Sequence, residues 1–507
     1  MEILGMAMKR GENMKRIFRA CILSLLFICL TACSAGAEQA IQINGELEPK
    51  TQEETLEMLL EAREAFFQDE ALTDLMQKGL TIDTAEDPFE TGEGEVYTFG
   101  TVTYQGKTMR FLMDVIGDAD ENGQYPLYIT LHGGGGAPAE DNDSQWFMMY
   151  DYYREAVDTG IYIACRGISD TWDLHFQPDS YLLYDRLIQS MIRLFRADPN
   201  RVYLLGFSAG GDGVYQITPR MADRFAAANM SSGHPNGVSL RNLCSCPFSI
   251  QLGVRDYYSE DAMRCVRGAE YAQVLQDYQD ALGYGYTHQV LIHVPEGHNY
   301  NDYGDSSAEV LANPAAFADP SIVENMMNSF LDALSSTTEE YGVGSLSYYS
   351  PGENEAFDEA IKKIVKEDFQ LETTFVNANA IAYVSQFTRN PAPETVVWDL
   401  STRATSREVS SFYWLKADPS VTEGLITATL TGDNTIEIVP ENVKGDFSIL
   451  VNPTLLDVSK PIWIKTPDGT IEVHVNPSWD TMLSSMRETG DPSLAWVAEI
   501  PYSVLHP

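Results

Sequence analysis

The chain has 507 residues, a formal net charge of -41 from 33 Lys and Arg against 74 Asp and Glu, 44% hydrophobic and 11% aromatic residues, and seven cysteines. The aromatic content excludes a disordered acidic chain, and the length suggests two or three domains around a large core. So acidic a surface repels phosphate backbones, which argues against nucleic acid as a partner.

Residues 1–32 read as an export signal. Lys15, Arg16 and Arg19 precede an apolar run over 20–30 that ends in Leu30-Thr31-Ala32-Cys33. The run is too short to span a bilayer. Its ending resembles a bacterial lipoprotein signal, which implies that Cys33 is lipidated and becomes the first mature residue, held on the outer face of a bacterial membrane. Met14 is the expected start, because residues 1–12 add an uncharacteristic leader. Removing residues 1–32 takes away more basic than acidic residues, so the working protein is more acidic still. Of the mature cysteines, Cys165, Cys244, Cys246 and Cys265 are too few for a disulfide scaffold and lack metal-ligand spacing, so buried thiols are expected.

The segment 33–94 is expected to hold a flexible tether to about residue 50 and a covering helix over 51–67, with Leu56, Leu59, Leu60 and Phe66 or Phe67 at helical spacing. A hairpin over 96–104 and 108–115 turns through Gln105-Gly106. Strand-like runs at 128–131, 161–165, 202–205, 226–230, 248–252 and 289–294 then alternate with helical stretches such as 180–195 and 262–282. That alternation predicts an α/β core over 95–304, a mostly parallel sheet covered by helices, with ligands at the carboxyl ends of its strands. Residues 305–388 read as a helical insertion or lid. Residues 389–507 read as a C-terminal β-sandwich-like domain, with a hairpin at Pro467-Asp468-Gly469. Asp118, Asp120 and Asn122 begin like a calcium loop, but Ile129 stands where a bidentate Glu is needed, so a turn is expected there.

The sharpest chemical signal is Gly206-Phe207-Ser208-Ala209-Gly210, a G-x-S-x-G that follows a strand and opens a helix. A serine hydroxyl is inert at neutral pH and needs a base, an orienting acid and donors for the oxyanion. Asp256 follows the strand 248–252 and His298 follows the strand 289–294, which gives the order Ser, Asp, His. Asp261 is the fallback acid, and His293, inside its strand, the fallback base. The oxyanion donors are sought in the glycine run after His132, at Gly134 or Gly135, with the backbone N–H of Ala209 as the second.

Residues 132–138, 172–176, 198–203, 206–215, 233–236 and 297–299 together resemble the esterase and polyhydroxybutyrate-depolymerase-like branch of the α/β-hydrolases, and 389–398 with 412–414 resemble the β-rich tail of some secreted members. The resemblance implies the α/β-hydrolase fold, a Ser208, His298, Asp256 triad and hydrolysis of carboxylic esters, without metal or organic cofactor. His132, Trp172 and His234 are then expected in the substrate pocket. Esterified polysaccharides and polyesters are the polymeric substrates to consider, and the C-terminal domain is expected to narrow the cleft or bind the polymer. A serine peptidase of the same fold and a catalytically silent binding lipoprotein are the competing readings. Oligomeric state is not written in the sequence.

Overall fold

The computed structural model describes residues 40–86, 96–257, 263–304, 307–337, 343–348 and 354–505. The export signal, Cys33 and Asp261 lie outside the described residues. The first described elements are β1 (Ile41–Ile43), α1 (Gln52–Phe67), α2 (Glu70–Gly79) and β2 (Leu80–Glu86). Helix α1 starts at a capping box: Thr51 Oγ1 accepts from the Glu54 N–H, and Glu54 Oε2 accepts from the Thr51 N–H at 2.7 Å. The segment read as a tether is fixed in part, because β1 pairs in parallel with a C-terminal strand and Asn44 exchanges hydrogen bonds with Asn476.

The main sheet region continues with β3 (Val96–Tyr104), β4 (Lys107–Ile116), β5 (Tyr125–Leu131), α3 (Ala139–Tyr152), β6 (Gly160–Cys165), α4 (Pro178–Phe195), β7 (Ala197–Phe207), α5 (Ala209–Ile217), β8 (Ala227–Ser231), β9 (Phe248–Gly253), α6 (Arg264–Leu282) and β10 (His288–His293). Then come β11 (Ser307–Leu311), α7 (Pro320–Thr337), α8 (Val343–Tyr348), α9 (Glu355–Lys363), β12 (Thr373–Asn377) and α10 (Ala380–Val384). Eleven strands form one sheet in the order β12-β11-β10-β9-β8-β7-β5-β6-β4-β3-β2. Strands β5 to β10 run parallel, and β6 and β8 are buried along their whole length. Such burial on both faces is what helices packed on each side of a parallel sheet produce. The register sets Leu131 beside Gly206, Phe207 beside Ser231 and Gly253 beside His293, so the loops that leave these strands emerge level with one another.

Residues 305–388 differ from a separate helical lid. Strands β11 and β12 extend the main sheet antiparallel from β10, and α7 to α9 form a layer attached to that edge. The two strands are short and largely unburied, so neither carries an apolar period that marks it in sequence.

The C-terminal strands are β13 (Thr395–Asp399), β14 (Ser411–Phe412), β15 (Leu415–Ala417), β16 (Leu425–Gly432), β17 (Thr435–Glu441), β18 (Phe447–Val451), β19 (Ile462–Thr466), β20 (Gly469–Val475) and β21 (Ala498–Pro501), with helix α11 (Trp479–Thr489) between the last two. They make two sheets, β1-β20-β19-β17-β16-β13 and β14-β15-β18-β21. From Ile41 onward the chain is one compact unit, and a single apolar core runs from Leu127 and Leu204 of the main sheet to Trp414, Ile426 and Trp496. Cys165, Cys244, Cys246 and Cys265 are buried and unpaired by disulfides. Asp120 closes the turn before β5, accepting from the N–H groups of Asn122 and Gln124.

Candidate active site

Strand β7 turns into α5 at Ser208, whose backbone is held at φ 59° and ψ -120°. Such a conformation costs about 1–3 kcal/mol in a non-glycine residue, and its surroundings enforce it. A Cβ on Gly206 would lie 2.4 Å from the Gly210 carbonyl oxygen, and one on Gly210 would lie 1.9 Å from that of Leu131. Only glycine permits this crossing. The Ser208 N–H donates to Ser231 O at 2.9 Å, which fixes the turn to the neighbouring strand.

The serine hydroxyl stands 2.9 Å from His298 Nε2, and His298 Nδ1 stands 3.0 Å from Asp256 Oδ2. With Nδ1 protonated toward the carboxylate, Nε2 is left to accept from the serine O–H. Asp256 is fully buried, which raises its carboxyl pKa, but the charges of His298 and Arg264 and hydrogen bonds from His298 and Ser347 outweigh burial and hold it below the usual carboxylate range. Its second oxygen accepts from Ser347 Oγ at 2.8 Å and faces Arg264 Nη1 at 3.4 Å. The His298 N–H donates to Ser347 O at 2.7 Å, so α8 holds acid and base together. The fallback base His293 is buried, bonded to Gln251 and stacked on Tyr300, and burial drives its pKa down to about 3.

The glycine run is braced from below. His132 is fully buried, its Nδ1 donating to Gly133 O at 2.6 Å and its Nε2 accepting from the Gly167 N–H at 3.1 Å. His175 lies edge-on to it and bonds His132 O. Burial holds both imidazoles far below their ordinary pKa, His175 at about 3, so they serve as neutral struts. The Gly135 N–H donates to Asn142 Oδ1 at 2.8 Å and is therefore spent, a correction to its assignment as an oxyanion donor. Gly134 lines the cleft beside Ser208 and remains the candidate partner of the Ala209 N–H, the first donor of α5. Asn142 is itself held by Ala137 O and Asp170, and Asp170 by Arg166.

Ser208 and His298 open onto a cleft of about 990 Å³ whose wall includes Met148, Tyr152, Phe207, Tyr300, Tyr303 and Tyr348. Burial raises the carboxyl of Glu296, also in the wall, to about 7. Three pocket expectations are corrected. His132 is buried under the glycine run, Trp172 is 57% exposed against Phe176, and His234 is tied to Asn236 and by its backbone to Asp212; none lines the cleft. Among the described residues none beyond Tyr348 lines it, so the described C-terminal sheets do not narrow it. Sequence reasoning misses Ser347 and Tyr348, whose partners Asp256 and His298 lie far along the chain, and Asn142, whose contact with Gly135 seven residues earlier has no motif to mark it.

No family model matches the chain. It is 28% identical over 134 residues to feruloyl esterase B of Thermothelomyces thermophilus, a match that covers 24% of this chain and 44% of that protein. It thus spans less than half the length of that relative. Among solved structures it is similar to a thermostable esterase (19% identity, TM-score 0.28, 43% of this chain and 55% of that one). It is also similar to a poly(3-hydroxybutyrate) depolymerase from Bordetella parapertussis (19%, 0.31, 39% and 84%) and to a carboxylesterase from Mesorhizobium loti (14%, 0.28, 40% and 93%). On its own geometry, from the order and direction of β3 to β10 to the strained serine after β7, the chain has an α/β-hydrolase fold.

Proposed function

We propose that the chain is an exported, lipid-anchored serine hydrolase that cleaves carboxylic esters. The observation that carries this reading is the unbroken chain from Ser208 Oγ through His298 to Asp256, at 2.9 and 3.0 Å, on a serine strained toward an open cleft. His298 Nε2 takes the hydroxyl proton as Ser208 Oγ attacks the ester carbonyl, and Asp256 stabilises the imidazolium and fixes its tautomer. The N–H groups of Ala209 and Gly134 receive the negative charge on the carbonyl oxygen. Collapse of the tetrahedral species expels the alcohol, which takes the proton from His298. Water, activated by the same imidazole, then releases the acid and restores Ser208.

Esterified polysaccharide is the substrate class this reading favours. Among the described residues the cleft wall holds neither Lys nor Arg, and its Tyr, Met, Asn and Gln side chains suit a neutral group that is part apolar and part hydroxyl. The similarity to feruloyl esterase B points the same way. The charged, apolar and small-residue order of residues 15–33 supports export, and Leu30-Thr31-Ala32-Cys33 supports lipid attachment.

The test is the initial rate of residues 34–507 on short p-nitrophenyl esters and matched peptide p-nitroanilides, with Ser208→Ala as control. Ester turnover that vanishes in the mutant is the expected result. Comparable amide turnover would make the chain a peptidase, and failure of a fluorophosphonate probe to label Ser208 would make it a silent binder.

A further inference from the structure

A second cleft, of about 1030 Å³, lies on the same face of the sheet between α3 and α10. Among the described residues Met148, Tyr152 and Tyr303 line both clefts and form the saddle between them. Met148 is 58% and Tyr303 41% exposed, and the Tyr152 and Tyr303 rings meet edge-on at 4.6 Å. Large apolar side chains exposed on a saddle between two depressions form a ledge rather than a plug. Each cleft already has the volume of a full site for a drug-sized ligand, so the pair exceeds what one small substrate fills.

The distal cleft has its own chemistry. Tyr128, Tyr203 and Ile381 form its closely packed floor, Ser385 Oγ lies 2.9 Å from Tyr128 Oη on its wall, and Met148 and Tyr303 stand exposed on its rim. Its charges are Asp151, which faces Arg154, with Glu155 and Asp158 against Arg201, whose guanidinium is engaged by Asp198 and Asp120. The surplus is therefore negative. The exposed Tyr303 ring on the saddle offers a rigid flat face to the C–H side of a sugar.

We infer that the two clefts form one groove that holds a neutral, hydroxyl-rich polymer, a glycan chain without uronate, with its ester at Ser208 and its continuing backbone across Met148 and Tyr303 in the distal cleft. The inference rests on the ester-hydrolase reading for the first cleft and adds the polymer register. Its surplus carboxylates would repel a uronate chain.

Acylated cello- and xylo-oligosaccharides of increasing length should show kcat/KM rising until both clefts are filled. Ala382→Trp, placed to plug the distal cleft, should lower the ratio of long-chain to short-ester kcat/KM about tenfold. A ratio unmoved by length and by Ala382→Trp overturns the groove. Calorimetric binding of the unacylated oligosaccharides to Ser208→Ala separates this inference from the catalytic one. Binding that Ala382→Trp weakens supports the groove even if no ester is cleaved, and no binding overturns it. A uronate oligomer of equal length should bind about tenfold more weakly at low salt, with the gap closing as salt rises. Equal binding at low salt overturns the preference for a neutral chain.

Discussion

Beneath the cleft, Asp302 is fully buried among hydroxyls, accepting from Tyr153 at 2.9 Å and from Ser231, and among the described residues it forms no ion pair. At the junction with the C-terminal sheets, Asp185, Asp223 and Asp491 are as deeply buried but face Arg224, Arg389 and Arg407. Burial raises the Asp302 carboxyl to about 6, whereas the arginines outweigh burial and hold Asp185 and Asp491 below the usual range. The difference is one of purpose. Near the reacting atoms the fold tolerates a strained serine and an unmatched carboxyl. Where two regions must assemble, every buried charge is answered, because one left alone would cost several kcal/mol.

Mutations can break or sharpen that contrast. Ser208→Ala should lower kcat on esters about 10⁴- to 10⁶-fold while leaving the denaturant midpoint unchanged or slightly raised. A loss of stability there would mean that the serine is structural. Asp491→Ala should do the reverse, leaving Arg389 without its carboxylate and Arg224 with Asp185 alone, and costing about 3–5 kcal/mol in urea unfolding, with kcat per folded molecule near wild type.

Stability against pH should separate the clusters by sign. The pKa of Asp185 and Asp491 is lower in the folded than in the unfolded chain, so their contribution is complete above about pH 4 and is lost as pH falls through the folded values. Asp302 is the opposite case, with its folded pKa raised to about 6, and it destabilises the fold increasingly as pH rises from about 4 to 6 and fully above that. Asp302→Asn should therefore stabilise the protein by up to about 3 kcal/mol at pH 8 and by only a few tenths at pH 4, read from urea midpoints. Equal gains at both pH values would show that Asp302 is not protonated on folding.

Smaller effects should come from the residues that hold the machinery. Asn142→Ala frees the Gly135 N–H and should lower kcat about 10- to 100-fold with little change in KM. Ser347→Ala, which removes one hydrogen bond from Asp256, should lower kcat by about threefold to tenfold.

The parts that sequence disclosed are those whose signal is local. Gly206, Ser208 and Gly210 lie within five residues, and Asp256 and His298 each follow a strand with a plain apolar run. What stayed hidden depends on distance. Ser347 sits 91 residues from the carboxylate it orients, in a stretch read as a lid. Strands β2, β11 and β12 lie at or near the sheet edges, where half-exposed residues show no alternation. Helix α11 did carry its signals, a Ser478 cap and Gly490 in the left-handed region after its last turn, but it lies among strands whose pattern dominates that region. The pocket expectations failed for another reason: an imidazole in a glycine-rich motif braces a loop as readily as it meets a substrate.

The pairing of β1 with β20 joins residues whose neighbours Asn44 and Asn476 are 432 positions apart. At about 5–20 residues per second, a ribosome needs roughly 20–90 s to deliver the second after the first. Throughout that interval Ile41–Ile43 has no partner strand, and the six-stranded sheet cannot close. The catalytic loops through His298 are synthesised well before then, while the last strand that pins the N-terminal segment is still to come. Folding therefore ends by fastening the beginning of the chain to its end.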